Sequence, residues 1–380
     1  MSRDQGIVAH VSGAIHRAGI GLALRGRDLL FRIRLLLHIT RPEVIAHPLF
    51  KLPLVDLIEE NEAFAGVLTP QPEFGKPREG VDSVFLGNAE GYYKKYESFD
   101  YWRPLLRDAT SRVGITDASL IVEFGCGFGN STLPLLDLFP RAQILASDIS
   151  PNLLVILNRL LASRALSSRC MVVAMDAQKD YIVGGCADLV VGSAILHHLV
   201  NPGMFIKRAL DLLRPGGAAI FFEPLEGGNA IVRACCLEIV REASRRGEKG
   251  PTIDFARNMG AELEPQIFRD MVPGWENKND KWAFPRSVLD RLASDAGARL
   301  TIYPLHDTNE QFRRHFIYAL RTYGGFEEKA LPQWAWEIFS RYDRETFSPE
   351  MLTDLAISGC VIFRKDAVGE NQLTSHSGSS

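Results

Sequence analysis

Two groups of residues have types and spacings that could do chemistry. The first is a glycine-rich turn, in which Gly125, Gly127 and Gly129 occupy every second position after the apolar run LIVEF. The second is a pair of candidate bases, His197 and Glu223, which follow two later apolar runs. A glycine-rich turn between a strand and a helix usually holds a nucleotide-like ligand, and histidine and glutamate are common general bases. The sequence therefore predicts a bound ligand and a reaction beside it.

The spacing of the glycine turn excludes two common phosphate-binding motifs. A nicotinamide site of the form G-x-G-x-x-G would require glycine at position 130, where the sequence has Asn130. A P-loop requires Lys followed by Ser or Thr after its last glycine, and this turn has no such pair. The turn does have an acid, Glu123, two residues before its first glycine. The motif is therefore E-x-G-x-G-x-G.

The elements that must position these residues are indicated by an alternation over residues 117–224. Apolar runs of strand length (LIVEF, QILASD, CMVVAMDA, ADLVVGS and GAAIFFEPL) alternate with helical patterns. Strands that alternate with helices predict βαβ units and a parallel sheet covered on both faces. Open sheets of this kind bind ligands at the carboxyl ends of their strands. We therefore expect a doubly wound, mostly parallel α/β sheet with the glycine turn at that edge.

The motif E-x-G-x-G-x-G resembles motif I of the class I S-adenosylmethionine-dependent methyltransferases, and further positions extend the resemblance. Asp148 ends the second strand, Asp176 ends the third, and LLRPGG precedes the fifth. AILHHL after the fourth strand resembles the small-molecule members. The resemblance implies a seven-stranded Rossmann-like sheet and S-adenosyl-L-methionine as the cofactor. It covers residues 117–224, and a helix at 286–298 and strands near 300 and 360 fit its closing elements.

The resemblance also implies contacts between individual residues and the cofactor. Asp148 would accept hydrogen bonds from both ribose hydroxyls, as carboxylates do at other doubly wound nucleotide sites. Asp176 would contact the adenine amino group, and Glu123 would orient the turn and approach the cationic amine. The predicted cofactor-binding residues are Glu123, Gly125, Cys126, Gly127, Gly129, Asp148, Ile149, Asp176, Ala177, Ser193 and Tyr93.

A tyrosine-rich segment, GYYKKYESFDYW, precedes the first strand and resembles the segment that closes over the cofactor in many members. Tyr92, Tyr93, Tyr96 and Trp102 are its candidates for packing on the cofactor or the substrate. The alternative is that these rings are ordinary core aromatics.

The two candidate bases have different expected roles. Methyl transfer from a sulfonium releases a neutral leaving group, so most of the catalysis is positioning and desolvation, and a base helps when the acceptor is an acidic hydroxyl. His197 is the first candidate base; the alternative is that it closes the pocket or caps a strand end. His198, with the opposite side-chain direction, is expected to be structural. Glu223 is an alternative base or a substrate contact.

Substrate specificity is expected in the segments added to the core. The aromatic segment at 308–357 could be a lid over a flat or greasy substrate, a homodimer surface or ordinary core, and His306 and His315 are secondary polar candidates. The predicted division is a helical N-terminal extension and cover at 1–116, the cofactor-binding core at 117–225, an insert capping the substrate at 226–285, the end of the sheet with the aromatic helical insert at 286–365, and a disordered tail at 366–380.

Composition and missing motifs argue against some classes of function. The 380 residues carry 43 Lys and Arg against 46 Asp and Glu, so no overall basic charge indicates a nucleic-acid partner. The motifs NPPY and DPPY, typical of methylation of exocyclic amines in nucleic-acid bases, are absent after the fourth strand. The six cysteines form no CxxC pair and have no zinc spacing, which predicts reduced thiols, a cytoplasmic protein and no metal.

The N-terminal segment from Gly6 to Pro42 is rich in Leu, Ile and Arg, and Asp28 is its only acidic residue. Three interpretations remain open. It could be a helix that packs on the main domain or a dimer mate, a helix lying on a membrane surface, or a transit peptide. No stretch of the sequence is long and apolar enough to span a bilayer.

Two functional hypotheses follow. The first is a methyltransferase acting on a small, hydrophobic or aromatic molecule, most simply by O-methylation in specialised metabolism, with a quinone or lipid substrate at a membrane surface as a variant. The second is a protein that binds S-adenosylmethionine without transferring its methyl group, such as an assembly subunit or an enzyme that uses the sulfonium for another reaction.

Overall fold

The computed structural model describes residues 44–57, 62–70 and 88–365. The basic apolar segment at 6–42 and the tail at 366–380 lie outside this part of the chain, so the interpretations of both stay predictions. Within the described part, no helix is long and apolar enough to cross a bilayer.

A single mixed sheet organises the described residues. Its strands are β1 (Val55–Asp56), β2 (Leu68–Thr69), β3 (Leu120–Phe124), β4 (Gln143–Asp148), β5 (Cys170–Ala174), β6 (Ala187–Ser193), β7 (Leu213–Pro224), β8 (Ala298–Pro304) and β9 (Ser358–Lys365). They lie in the order β1-β2-β5-β4-β3-β6-β7-β9-β8. Strands β3 to β7 run parallel to one another, and β9 lies antiparallel between β7 and β8.

The doubly wound fold is confirmed, with nine described strands where seven were expected. The difference is the pair β1 and β2, each two residues long, which extends the sheet beyond β5. A smaller difference concerns LLRPGG, most of which belongs to β7 itself, because Leu213 already pairs with Ala187 before a register shift.

The centre of the sheet explains where a ligand would bind. All five residues of β3 are buried, as expected for a strand covered on both faces. The chain winds from β3 through β4 to β5 on one side and continues through β6 and β7 on the other. The carboxyl ends of β3 and β6 therefore flank the switch point at which open α/β sheets bind their ligands.

Helices cover both faces of this sheet and build a further layer. They are α1 (Ala89–Tyr96), α2 (Phe99–Arg112), α3 (Thr132–Leu138), α4 (Pro151–Ser163), α5 (Pro202–Leu212), α6 (Glu226–Arg246), α7 (Pro251–Ile267), α8 (Arg286–Asp295), α9 (Gln311–Thr322), α10 (Gln333–Arg341) and α11 (Pro349–Asp354). Local sequence fixes where α4 begins: Pro151 is its first residue, and the Ser150 side chain accepts a hydrogen bond from the backbone N–H of Leu153.

The two segments added to the core share one hydrophobic cluster. Cys236 of α6 packs in it with Phe312 and Phe316 of α9 and Phe339 of α10. These four side chains are fully buried, so most of the aromatic segment is core rather than lid. The segments at 226–285 and 308–357 therefore form one helical layer, although the sequence indicates two separate inserts.

Candidate active site

The glycine turn that follows β3 requires glycine at all three positions. Gly125, Gly127 and Gly129 have φ angles of 66°, 53° and 102°, in the region that L side chains rarely adopt. A Cβ on Gly129 would lie 2.6 Å from Leu157, whereas a Cβ on Gly127 would meet no atom closer than 3.9 Å. Gly129 thus allows close packing on α4, and Gly127 leaves room for a ligand beside the backbone.

Asp148, at the end of β4, holds the turn in place. Its Oδ2 accepts a hydrogen bond of 2.8 Å from the backbone N–H of Gly127, and its Oδ1 accepts one of 2.8 Å from Ser150. Burial raises the pKa of this carboxyl, although both backbone contacts favour the charged form. An ionised carboxylate has about four acceptor positions, so the two hydrogen bonds at 2.8 Å do not exhaust Asp148 as an acceptor for a ligand.

Glu123 is fully buried and faces the start of α3. One carboxyl oxygen accepts a hydrogen bond from the hydroxyl of Ser131, and burial raises the pKa of Glu123 to about 7. The other oxygen, Oε2, has no hydrogen-bond partner among the described residues. An orphaned buried acceptor is costly, and a cationic group of a ligand would satisfy it.

Four other predicted residues differ in what they offer. Asp176 lies two residues beyond β5, and its Oδ1 accepts a hydrogen bond of 2.9 Å from the backbone N–H of Gln178, next to the partly exposed Ala177. The side chain of Cys126 is buried in the core, so only the backbone of this residue can face a ligand. Ile149, directly after Asp148, is partly exposed.

The end of β6 is strained. Ser193, its last residue, has a buried hydroxyl oxygen without a hydrogen-bond partner in the described structure. The next residue, Ala194, has a φ of 61°, which is uncommon for a residue with a Cβ, and its N–H donates to the carbonyl of Phe222. Backbone strain of this kind concentrates at functional sites.

Helix α1 packs both Tyr92 and Tyr93 against Phe128 of the glycine turn, with ring centroids 5.9 and 5.1 Å from that of Phe128. The pKa of Tyr92 is raised to about 12, mainly by burial and in smaller part by the charges of Asp148 and Asp280. The Tyr93 hydroxyl also interacts with the carboxylate of Glu97. Consecutive helical residues are turned by about 100°, and of these two tyrosines only Tyr92 has its pKa raised by the charge of Asp148. That Tyr93 binds the cofactor stays a prediction, and Tyr92 is a further candidate on the same helix.

Trp102 packs in the hydrophobic core. Its ring packs edge-on against Phe222 at 5.4 Å, within the core on one face of the sheet.

Glu223, at the end of β7, is an anchor rather than a free base. It is 1% exposed, and its Oε1 accepts hydrogen bonds from the backbone N–H groups of Ile195 and Leu196 at 3.0 and 2.8 Å. Its Oε2 accepts from the backbone N–H of His197 at 3.2 Å and from Nδ1 of the same residue at 2.7 Å. Because each oxygen already accepts two hydrogen bonds, the geometry favours a positioning role for Glu223 over its predicted roles as base and substrate contact.

His197 lies in the short 3₁₀ turn Leu196–His198 after β6. Burial lowers the pKa of its imidazole, but the charge and hydrogen bond of Glu223 outweigh burial, and the net shift is upward. Its Nε2 lies 3.7 Å from Oδ1 of Asp280. Because Nδ1 donates to Glu223, the lone pair of the neutral ring is on Nε2, which makes His197 the available proton acceptor.

His198 and Asp280 complete this cluster. Nδ1 of His198 donates to the backbone carbonyl of Asn279 at 2.9 Å and lies 3.4 Å from Oδ1 of Asp280. Burial and the neighbouring His197 lower the pKa of His198 to about 4. Asp280 belongs to the loop between α7 and α8, far along the chain, and no local pattern in the sequence indicates it.

One set of side chains in the described part of the chain could hold a metal ion. His197, His198 and Asp280 each offer a ligand atom, and these atoms lie within 4.8 Å of one another. The sequence-based expectation of no metal was drawn from cysteine spacing, which does not address this group.

Part of the chain is similar to a known protein family. Residues 122–219 match the family model described as a methyltransferase domain. The chain carries a class I S-adenosylmethionine-dependent methyltransferase domain. The glycine turn, Asp148 and the strands β3 to β6 of this methyltransferase all lie in the matched range or overlap it.

Curated relatives of the methyltransferase match part of its length. The trans-aconitate 2-methyltransferase of Methylobacterium radiotolerans is 26% identical over 191 residues, which are 50% of this chain and 68% of that enzyme. The trans-aconitate 2-methyltransferase of Azoarcus sp. is 30% identical over 29% of this chain and 41% of that enzyme. The malonyl-acyl-carrier-protein O-methyltransferase of a Paenibacillus species is 30% identical over 38% and 54%. The chain thus spans about two thirds of the first relative and about half or less of the others.

Solved structures give a weaker similarity. The cyclase SpnF is 15% identical, with a TM-score of 0.40 over 69% of this chain and 81% of that one. The mitomycin 7-O-methyltransferase is 17% identical, with a TM-score of 0.37 over 55% and 50%. The order of the strands, rather than these scores, defines the fold.

The residues present in the methyltransferase fit S-adenosylmethionine. The open side of Gly127 accommodates a ligand beside the backbone, Asp148 offers acceptors for two ribose hydroxyls, and the orphaned oxygen of Glu123 suits a cationic amine. The cofactor has no phosphate, which agrees with a turn that lacks the lysine of a P-loop.

Proposed function

We propose that this methyltransferase methylates an oxygen atom of a small, hydrophobic or aromatic molecule, of the kind made in specialised metabolism. The observation that carries the proposal is the buried pair of Glu223 and His197. Glu223 keeps the imidazole proton on Nδ1, so the lone pair on Nε2 lies at the cofactor edge of the sheet. S-adenosylmethionine supplies the methyl group from a sulfonium, which leaves as a neutral thioether.

Oxygen is the acceptor for which this arrangement is most useful. A hydroxyl is a weak nucleophile until it loses its proton, and a positioned base contributes about 10²–10⁴-fold to such a reaction. His197 receives that proton at Nε2, and the carboxylate of Glu223 stabilises the imidazolium that forms. Both residues are buried, so water does not compete for the same hydrogen bonds.

The aromatic surroundings support a flat or hydrophobic acceptor. Burial and, to a smaller extent, the charge of Asp280 raise the pKa values of Tyr92 in α1 and Tyr323 at the end of α9, so both rings lie within electrostatic range of Asp280. Tyr318 and Tyr323 pack edge to face at 5.9 Å and are more than half exposed. Exposed aromatic rings beside a reactive group are typical walls of a small-molecule site.

The first experiment is calorimetry of the purified protein with S-adenosylmethionine and S-adenosylhomocysteine, followed by a screen of acceptors. The panel contains phenols, hydroxylated aromatic molecules, lipids and organic acids, including trans-aconitate, and mass spectrometry detects S-adenosylhomocysteine and the methylated product. Cofactor binding with turnover of a hydroxylated acceptor supports the proposal. Cofactor binding without any S-adenosylhomocysteine formation favours the non-methylating alternative.

His197→Ala tests the role of the histidine within this proposal. Turnover is expected to fall about 10²–10⁴-fold, with little change in the affinity for S-adenosylmethionine. His47→Ala is the matched control, because His47 is a partly exposed histidine of the N-terminal part of the described chain. Unchanged turnover of His197→Ala would remove the histidine from the reaction.

A further inference from the structure

Three tyrosines with exposed rings lie close together beside the candidate active site. Tyr101, Tyr318 and Tyr323 are 43%, 52% and 59% exposed, and Phe268 is the only other Phe, Tyr or Trp side chain of comparable exposure in the described part of the chain. Burial and, to a smaller extent, the charge of Tyr318 raise the pKa of Tyr101 to about 12, so these two hydroxyls are neighbours. Exposed apolar surface that is gathered in one place usually marks a binding site.

Two histidines add polar groups to this aromatic surface. The hydroxyl of Tyr101 lies 2.9 Å from Nε2 of His306, and the two rings have centroids 5.7 Å apart. His315 precedes Tyr318 by three residues in α9, so their side chains share one face of the helix. Among the described residues, neither ring nitrogen of His315 has a hydrogen-bond partner, and the same is true of Nδ1 of His306. Three ring nitrogens are therefore available to a ligand.

The surface lies at the same edge of the sheet as the candidate base. Strands β7 and β8 are both antiparallel to β9, so their carboxyl ends meet at one edge. His306 follows β8, which ends at Pro304. Tyr101 adjoins Trp102, whose ring packs on Phe222 near the end of β7.

Helix α9 connects this surface to the His197 cluster. Tyr323 follows His315 by about two helical turns, or about 12 Å along the axis, and its ring is 5.9 Å from that of Tyr318. Tyr323 lies within electrostatic range of Asp280, whose Oδ1 is 3.7 Å from Nε2 of His197. A ligand that reaches from His197 to His315 therefore needs more than a single ring.

The imidazoles of His306 and His315 are neutral at physiological pH. Partial burial and, to a smaller extent, the charge of Arg314 lower the pKa of His306, and burial followed by the charge of His306 lowers the pKa of His315 to about 4. Arg314 itself donates to the backbone carbonyl of Asp307. A neutral imidazole offers one donor and one acceptor, which suit a hydroxyl or a carbonyl. A carboxylate would be removed from water without a cation to pair with it, which is costly.

We propose that His306 and His315 bind the end of the methyl acceptor that lies farthest from His197. The acceptor is an uncharged aromatic molecule of two or more rings, with a second hydroxyl or a carbonyl at the end opposite to the methylated hydroxyl. Tyr101 and Tyr318 pack against its rings. This inference rests on the proposed function, because that function places the methylated hydroxyl at His197.

The test measures the binding of three probes that share one ring system. They are 2-naphthol, 2,6-dihydroxynaphthalene and 6-hydroxy-2-naphthoate, which carry at the distal position no polar group, a hydroxyl and a carboxylate. The protein is loaded with S-adenosylhomocysteine, and naphthalene fluorescence reports binding. We expect the diol to bind about two- to tenfold more tightly than 2-naphthol, as one net hydrogen bond allows, and the naphthoate to bind most weakly.

Substitutions of His315 assign the preference to this side chain. His315→Leu removes both ring nitrogens and should make the affinities for the diol and for 2-naphthol equal. His315→Gln retains a donor and an acceptor and should keep part of the preference. His47→Leu is the matched control, because His47 is a partly exposed histidine near the N-terminal end of the described chain, and it should bind the probes as the wild type does. Circular dichroism verifies the fold of each variant.

The outcomes separate this inference from the proposed function. The inference is overturned by equal affinities for the diol and 2-naphthol in the wild type, by tighter binding of the naphthoate, by absence of binding of all three probes, or by a preference that His315→Leu leaves unchanged. The same probes are then incubated with S-adenosylmethionine. A preference for the diol without any S-adenosylhomocysteine formation would support the binding site and count against methyl transfer to oxygen. Methyl transfer without that preference would refute this inference alone.

Discussion

Glu223→Gln is the sharpest test of how the site is built. Gln has nearly the same shape as Glu, and its carbonyl oxygen can still accept from the N–H groups of Ile195 and Leu196. Its amide nitrogen is a donor, however, and it faces the two His197 donors that Oε2 accepts in the native protein, one on the backbone and one on the ring. The substitution therefore places donors against donors in a buried position.

The size of the effect follows from these contacts. The ring of His197 can relieve one conflict by moving its proton to Nε2 and accepting from the amide, but its backbone N–H stays unpaired. An unpaired buried donor costs about 1–3 kcal/mol, and neutral hydrogen bonds are weaker than charge-assisted ones. We expect the free energy of unfolding to fall by roughly 2–4 kcal/mol.

The same change alters the chemistry of the site. With the proton on Nε2, the lone pair of His197 faces the core instead of the acceptor, so turnover is expected to fall about 10²–10⁴-fold while affinity for S-adenosylmethionine changes little. Urea unfolding followed by circular dichroism measures the stability, and S-adenosylhomocysteine formation measures the turnover. Glu276→Gln, an exposed carboxylate in the loop between α7 and α8, is the control and should change stability by less than about 0.5 kcal/mol. Wild-type stability together with wild-type turnover in Glu223→Gln would refute the assigned role.

Three further predictions concern the cofactor half of the site. Asp148→Ala should weaken binding of S-adenosylmethionine at least about tenfold in calorimetry, since it removes the ribose acceptors and the contact that holds Gly127; near-normal affinity in a folded variant would contradict this. Tyr92→Ala should weaken cofactor binding more than Tyr93→Ala, and equal effects would mean that helix α1 does not discriminate between them. Glu123 has a folded pKa of about 7, above its ordinary value of 4.5, so its contribution to stability is fully present below pH 4.5 and is lost as the pH rises through 7. The difference in unfolding free energy between Glu123→Gln and wild type should therefore grow by roughly 3 kcal/mol between pH 4.5 and pH 8, and a constant difference would show that the carboxyl is not shifted.

The sequence by itself determined the core of the fold and the cofactor. The alternation of strands and helices over 117–224 reflects the burial of a parallel sheet on both faces, which is a property of each segment and its neighbours. The three glycines at alternate positions reflect local backbone angles that other residues cannot easily adopt. Both signals are properties of short stretches of sequence. The predicted fold and the prediction of S-adenosylmethionine as the cofactor are therefore confirmed.

Only the tertiary structure decided the roles of the polar residues around the acceptor. Glu223 lies at the end of a strand, where a substrate-binding acid would also lie. Its hydrogen bonds to the 195–197 turn form only because β6 pairs with β7. Asp280 reaches the histidines from a loop with no periodic pattern, through backbone contacts between distant segments. The helical layer likewise depends on packing between α6 and α9. Hydrogen bonds and contacts between segments far apart in sequence leave no local pattern, and they decide which groups of this methyltransferase can reach a substrate.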